Sequence, residues 1–208
     1  MYQFKIKNIP IGKKHRPFII AEMSGNHNQS LKKSLDIVKA AKKSGAHAVK
    51  LQTYTADTIT LNSNNEEFMI NDKNSLWYGK SLYELYNEAH TPWKWHKPIM
   101  DLANDLGLIC FSSPFDESAV DFLEDLNVPA YKIASFENIH LPLIKKVALT
   151  GKPIIVSSGM ANITELNEAV SIVRNYGCGK MALLKCTSTY PAEPINSNII
   201  TISHMRDL

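Results

Sequence analysis

Three lysines stand in runs that are otherwise apolar: Lys50 in Ala48-Val-Lys-Leu-Gln52, Lys132 in Ala130-Tyr-Lys-Ile-Ala134 and Lys185 in Met181-Ala-Leu-Leu-Lys-Cys186. An ammonium among apolar neighbours is costly unless it meets an anion or another partner. Short hydroxyls gather beside the same runs: Ser112 and Ser113, Ser135, Ser157 and Ser158 before Gly159, Thr187 and Ser188, with Tyr190 just beyond. Cations for an anion, with small donors to fix its oxygens, make a cradle for phosphate and carboxylate. One lysine of this kind reads as a surface or salt-bridged residue, and one Ser-Ser-Gly as a turn. Three at equivalent strand ends point to an anion site. Alternation along a strand puts Gln52 on the face of Lys50 and Thr187 on that of Lys185. Glu22 and Glu137 are the carboxylates at strand ends, suited to acid–base work or to ion pairing. His27 reads as a hydrogen-bonded loop residue, and no His-x-His or His-Glu-x-x-His spacing marks a metal site. Trp93, Trp95, Tyr83 and Tyr86 read as packing residues.

The elements that must hold these side chains alternate regularly. Apolar runs at 18–22, 48–52, 108–112, 130–134, 153–157 and 181–186 read as strands, and their near-continuous hydrophobicity suits parallel strands covered on both faces. Helical spacing follows each: from Ser30 to Gly45, from Thr91-Pro92 to Gly107, and over 116–126, 141–150, 163–176 and 198–207. Asn162 and Glu165 have the spacing of a reciprocal cap. Residues 53–90 break the rhythm with Asn, Ser, Thr and Tyr and one helical stretch near 81–89, which makes this insertion a candidate substrate cover. Repeated strand–helix units give an α/β fold. A TIM-type barrel is favoured over a doubly wound sheet, because polar residues end nearly every strand and no Gly-x-Gly-x-x-Gly loop follows the first. A barrel needs eight units, so six read as a barrel truncated after about the sixth, with residues 1–16 as an N-terminal β-hairpin extension and 17–208 as the partial barrel.

Composition narrows the partners. With 208 residues, 44% hydrophobic and 21% charged, the chain is an ordinary globular mix rather than a disordered one. A net charge of +3 predicts neither nucleic acid nor an anionic membrane as partner, and no apolar run is long enough to span a bilayer. The N-terminus lacks the apolar stretch of a signal peptide, and the separated Cys110, Cys178 and Cys186 read as reduced thiols, so a cytoplasmic protein is expected.

Six segments, taken in order, resemble the sialic acid synthase family: Ile20-Ala-Glu-Met-Ser-Gly-Asn-His27, Ala46-His-Ala-Val-Lys-Leu-Gln52, Ser112-Ser-Pro-Phe115, Tyr131-Lys-Ile-Ala-Ser-Phe-Glu137, Ser157-Ser-Gly-Met160 and Lys185-Cys-Thr-Ser-Thr-Tyr-Pro191. The first loop and the insertion from Leu76 to Trp95 look like its pseudaminic branch, with N-acetylneuraminate and legionaminate synthases as the alternatives. The resemblance implies condensation of phosphoenolpyruvate (PEP) with an open-chain diacetamido-trideoxyhexose, giving pseudaminic acid and phosphate with C–O cleavage. It implies a divalent metal, Mn²⁺ or Mg²⁺, to polarise the sugar aldehyde, and a homodimer in the full-length form. By position, Lys50, Ser113, Lys132, Ser135, Ser157 and Ser188 match residues that hold PEP; the family commonly has asparagine where Ser188 stands. Gln52 and Tyr190 match sugar-side positions, and Glu22 and Glu137 match carboxylates for sugar positioning and proton or water handling. The family's metal-binding histidines and its C-terminal antifreeze-like domain are expected beyond Leu208, so this chain by itself is expected to be inactive or nearly so, with the strands at 18–22 and 181–186 left as edges. Two readings of other classes stand beside this one: a class I aldolase with a Schiff base on Lys185, and a non-catalytic binding domain.

Overall fold

In the computed structural model, which describes residues 3–189 and 192–207, an antiparallel hairpin comes first, β1 (Gln3–Ile6) against β2 (Ile9–Gly12). Its alternation buries Phe4 and Ile6 and leaves Gln3 and Lys5 outside. Then follow β3 (Ile20–Glu22), α1 (Leu31–Lys43), β4 (Ala48–Thr53), the one-turn α2 (Ala56–Ile59), α3 (Leu82–Ala89), α4 (His96–Asp105), β5 (Ile109–Pro114) and α5 (Glu117–Asp125). The remainder is β6 (Tyr131–Ile133), α6 (Leu141–Leu149), β7 (Ile154–Ser157), α7 (Ile163–Tyr176), β8 (Met181–Leu184) and α8 (Thr201–Asp207). The α/β alternation expected from hydrophobic spacing is therefore present. Among the described residues no helix is long and apolar enough to cross a membrane.

Packing divides the chain into two units, residues 18–122 and residues 1–17 with 123–208. In the first, β3, β4 and β5 lie side by side, all parallel. In the second, β6, β7 and β8 do the same. Strand order is sequential within each unit, as in the wall of a barrel; a doubly wound sheet reverses its order at a switch point. β4 and β5 are buried almost throughout, because helices cover one face and side chains fill the other. Val49, Leu51, Ile99, Ala103 and Phe111 make the core of the first unit, and Tyr131, Ile133, Leu143, Ile144, Val147 and Ile154 that of the second.

Local chemistry sets the helix ends. Ser30 accepts from the Lys33 N–H and starts α1, and Gly45, at φ +83°, follows its last turn. Asn162 and Glu165 cap α7 reciprocally, as their spacing predicts, and Ser81 and Glu84 do the same for α3. The helix expected to open at Thr91-Pro92 begins later: a 3₁₀ turn, Trp93–Trp95, precedes α4. Trp93 turns there to stack on Phe122, with ring centroids 4.6 Å apart, and its indole N–H reaches the Tyr54 carbonyl at 3.3 Å. Tertiary packing has overridden the simple helical spacing. The last strand also stops early, at Leu184, so Cys186 lies beyond it rather than within it.

Candidate functional site

Register decides which side chains share a face, because opposed residues of parallel strands point the same way. Glu22 pairs with Lys50 and Gln52 with Ser113. Those four residues therefore share one face at the C-terminal ends of β3, β4 and β5, and Leu51, Thr53 and Ser112 take the other. Lys50 is 9% exposed. Its Nζ donates to Ser113 Oγ at 3.2 Å and lies 2.6 Å from Glu22 Oε2. Glu22 is exposed and also accepts from the Ser24 N–H at 3.3 Å, while Ser24 Oγ donates to Gln52 Oε1 at 3.4 Å. Glu22, Lys50, Gln52 and Ser113 thus form one connected polar chain, with Ser24 as the link to Gln52. An incoming anion would compete with the open Glu22 carboxylate for a lysine that is already held in place.

The second unit repeats the device. Lys132, 8% exposed, donates to Ser157 Oγ on the neighbouring strand at 2.5 Å and to the Ile133 carbonyl at 2.8 Å. Asn138 is buried beneath this pair, and its Nδ2 donates to both the Ser157 and Ser158 carbonyls, at 3.0 and 2.7 Å. Gly159 completes the turn at φ +53°; a Cβ there would fall 2.8 Å from Ser135 Cβ and from the Ser135 carbonyl oxygen. Only glycine lets the loop bearing Ser135 lie against the turn bearing Ser157. Glu137 follows in a 3₁₀ turn, its Oε2 buried without a hydrogen-bond partner. Burial pushes its carboxyl pKa up, opposed by its own backbone hydrogen bond and by the charge of Lys132. A carboxyl so placed holds a proton more readily than a solvated one and is suited to proton transfer. Ser188 Oγ is also buried without a partner, as a hydroxyl waiting for a ligand would be.

Lys185 is placed differently from the other two lysines. Leu184 pairs with Ser157, so the next residue leaves on the opposite side. Its Nζ donates to Thr187 Oγ1 at 3.3 Å, as alternation predicts, and it lines a cleft of about 350 Å³ with Ser158, Cys186 and His204. Two lysines, rather than three, therefore stand in equivalent settings. Tyr190 lies outside the described residues.

His27 is the hydrogen-bonded loop residue expected. Its Nδ1 accepts from the Gln29 N–H at 3.2 Å, which leaves Nε2 to donate to Thr91 Oγ1 at 3.1 Å, and burial holds its pKa down. The aromatic residues of the insertion pack, with Trp95 edge-on to His27 and Tyr86 edge-on to Tyr54. Tyr83 instead donates to Asp57 Oδ1 at 2.9 Å. Among the described residues no three His, Cys, Asp or Glu side chains gather as a cation site. None of the described residues is assigned to the divalent metal.

Sequence reasoning passed over Asn138, whose only signal was its place beside Glu137. It also passed over Asp116, which caps the turn into α5 by accepting from the Ser118 N–H at 2.9 Å and has a buried, unpartnered Oδ1. Of the buried set Thr53, Ser112 and His96 behind the Lys50 face, only Ser112 stands out in the sequence, as a cradle hydroxyl, and it lies on the opposite face of the sheet from Lys50.

Comparison with known proteins covers nearly the whole chain. A family model described as the NeuB family matches residues 37–208. A pseudaminic acid synthase of Helicobacter pylori is 47% identical over 192 residues, which are 92% of this chain and 56% of that protein. The N,N'-diacetyllegionaminic acid synthase of Legionella pneumophila is 36% identical over 208 residues, 98% of this chain and 58% of its own. A crystal structure of the N-acetylneuraminic acid synthetase of Leptospira borgpetersenii, in complex with citrate, superposes with a TM-score of 0.85 at 27% identity, covering 99% of this chain and 66% of that one. The chain thus spans a little over half the length of the curated relatives it matches.

Proposed function

The chain belongs to the NeuB family, and from that premise we propose that it is the PEP-gripping part of a nonulosonic acid synthase of the pseudaminic branch, built on a partial TIM-type barrel. The observation that carries the proposal is the lysine–serine device found once in each unit: a buried lysine in one strand donating to a serine hydroxyl at the end of the next, Lys50 to Ser113 and Lys132 to Ser157. Lysines fixed in this way are preorganised for a multiply charged phosphoester, which need not then spend binding energy in ordering them.

In this reading, which follows the family resemblance, Lys50, Ser113, Lys132, Ser135, Ser157 and Ser188 hold PEP, and Gln52 and Tyr190 are the sugar-side residues. C3 of PEP attacks the sugar aldehyde to form the new C–C bond, and the aldehyde oxygen takes up a proton to become a hydroxyl. Water adds at C2 of the resulting oxocarbenium ion and gives up a proton, and the C2–O bond to phosphate breaks. Glu137, whose burial favours the protonated carboxyl, is suited to the proton step. Glu22, exposed and ion-paired, is suited to positioning. The divalent metal of the family would polarise the aldehyde, and no step above is assigned to it.

Calorimetric titration with PEP tests the reading. Lys50→Met and Lys132→Met should each weaken binding by roughly 10- to 100-fold, the range for a lost charge-assisted hydrogen bond. Unchanged affinity in both would sink it. Lys185 is only half-buried, and no observation favours its use as a Schiff-base nucleophile.

A further inference from the structure

On the face of β4 and β5 opposite Lys50 and Ser113, where apolar side chains would pack as well, the chain places three polar groups. Thr53, Ser112 and His96 are each 0% exposed. His96 Nε2 lies 2.8 Å from Thr53 Oγ1, and Thr53 Oγ1 lies 2.6 Å from Ser112 Oγ. His96 Nδ1 is buried without a hydrogen-bond partner. Thr53 Oγ1 thus links the imidazole to the Ser112 hydroxyl. Phe122 packs edge-on against the imidazole, with centroids 5.3 Å apart.

Thr53 follows Gln52, and Ser112 precedes Ser113. Gln52 and Ser113 of the candidate site thus each have a neighbour in the hydrogen-bond chain that ends on His96. Backbone hydrogen bonds set the register of β4 against β5. Side chains packed only by apolar contact still rotate, whereas a directional hydrogen-bond chain also fixes side-chain orientation at the strand ends. Burying three polar groups adds little net stability compared with an apolar set. Orientation is what the arrangement supplies.

We propose that His96 is a positioning residue which, through Thr53 and Ser112, locks the C-terminal ends of β4 and β5 so that Gln52 and Ser113 meet substrate at a fixed geometry. The inference rests on the synthase reading for its substrate but not for its mechanics. Two readouts separate them, on the full chain. In the ligand-free protein, His96→Leu should speed amide hydrogen exchange at Thr53, Ser112 and Ser113 by about tenfold while leaving β3 and α1 unchanged. The same variant should raise the dissociation constant for PEP by about tenfold, since small misplacements of binding groups are costly. His96→Gln, which keeps a hydrogen-bonding group at similar reach, should restore both. Thr53→Val, nearly isosteric, cuts the chain at its middle and should reproduce both effects even if His96→Leu does not fold. Exchange unchanged in Thr53→Val, or raised uniformly across the unit, overturns the inference. Failure of the unaltered protein to bind PEP overturns the synthase reading and leaves the exchange result to decide the role of His96.

Discussion

At the scale of single residues, burial and charge act against each other most clearly at Glu137. Its folded-state pKa lies above the ordinary 4.5 because burial penalises the carboxylate more than Lys132 and the backbone reward it. Between the ordinary and raised values the folded protein still holds a proton that the unfolded chain has released, so stability falls as pH rises through that window. Glu137→Gln removes the penalty. Its melting temperature should exceed that of the unaltered protein at pH 7, and the gap should close as the pH falls below about 4, where the Glu137 carboxyl is largely protonated in the unfolded chain as well. Equal melting temperatures at both pH values would show that the carboxyl is not strained by burial. Lys50 presents the opposite case, a buried charge answered by Glu22 and Ser113.

At the scale of elements, the ends of the strands matter more than their middles. The turn after β7 is shaped by two features that do no chemistry: the two hydrogen bonds from Asn138 and the missing side chain of Gly159. Asn138→Asp keeps the shape and removes the donors, leaving two carbonyls without their partner. It should cost at least about 2 kcal/mol in urea denaturation. Gly159→Ala meets both a left-handed backbone and the close approach of Ser135, and should cost about 1–3 kcal/mol or more. If either variant is as stable as the parent, the turn is not held as described. The spacing of apolar residues announced the strands and most helices, and the capping pair Asn162 with Glu165 lay open in the sequence. The 3₁₀ start of α4 did not, because it depends on where Phe122 lies, and no periodicity carries that.

At the scale of the whole molecule, surface and strand edges govern behaviour. Among the described residues β3 pairs only with β4 and β8 only with β7. Ile195, Ile199 and Ile200 are 84%, 68% and 79% exposed. Exposed edges with clustered apolar side chains favour association. Sedimentation of the chain should show concentration-dependent self-association that Ile195→Lys, Ile199→Lys and Ile200→Lys together reduce; a chain monomeric at all concentrations would contradict this. What the sequence determined alone was the alternation of strands and helices, the lysines and hydroxyls at strand ends, and the family, since these depend on residue type and spacing along the chain. Tertiary structure alone decided that Lys50 and Lys132 each grip a serine of the next strand while Lys185 turns away. It alone brought Asn138 and His96 behind those pairs, because hydrogen bonds between residues far apart in sequence depend on the register and faces of packed strands, which appear only when the chain folds.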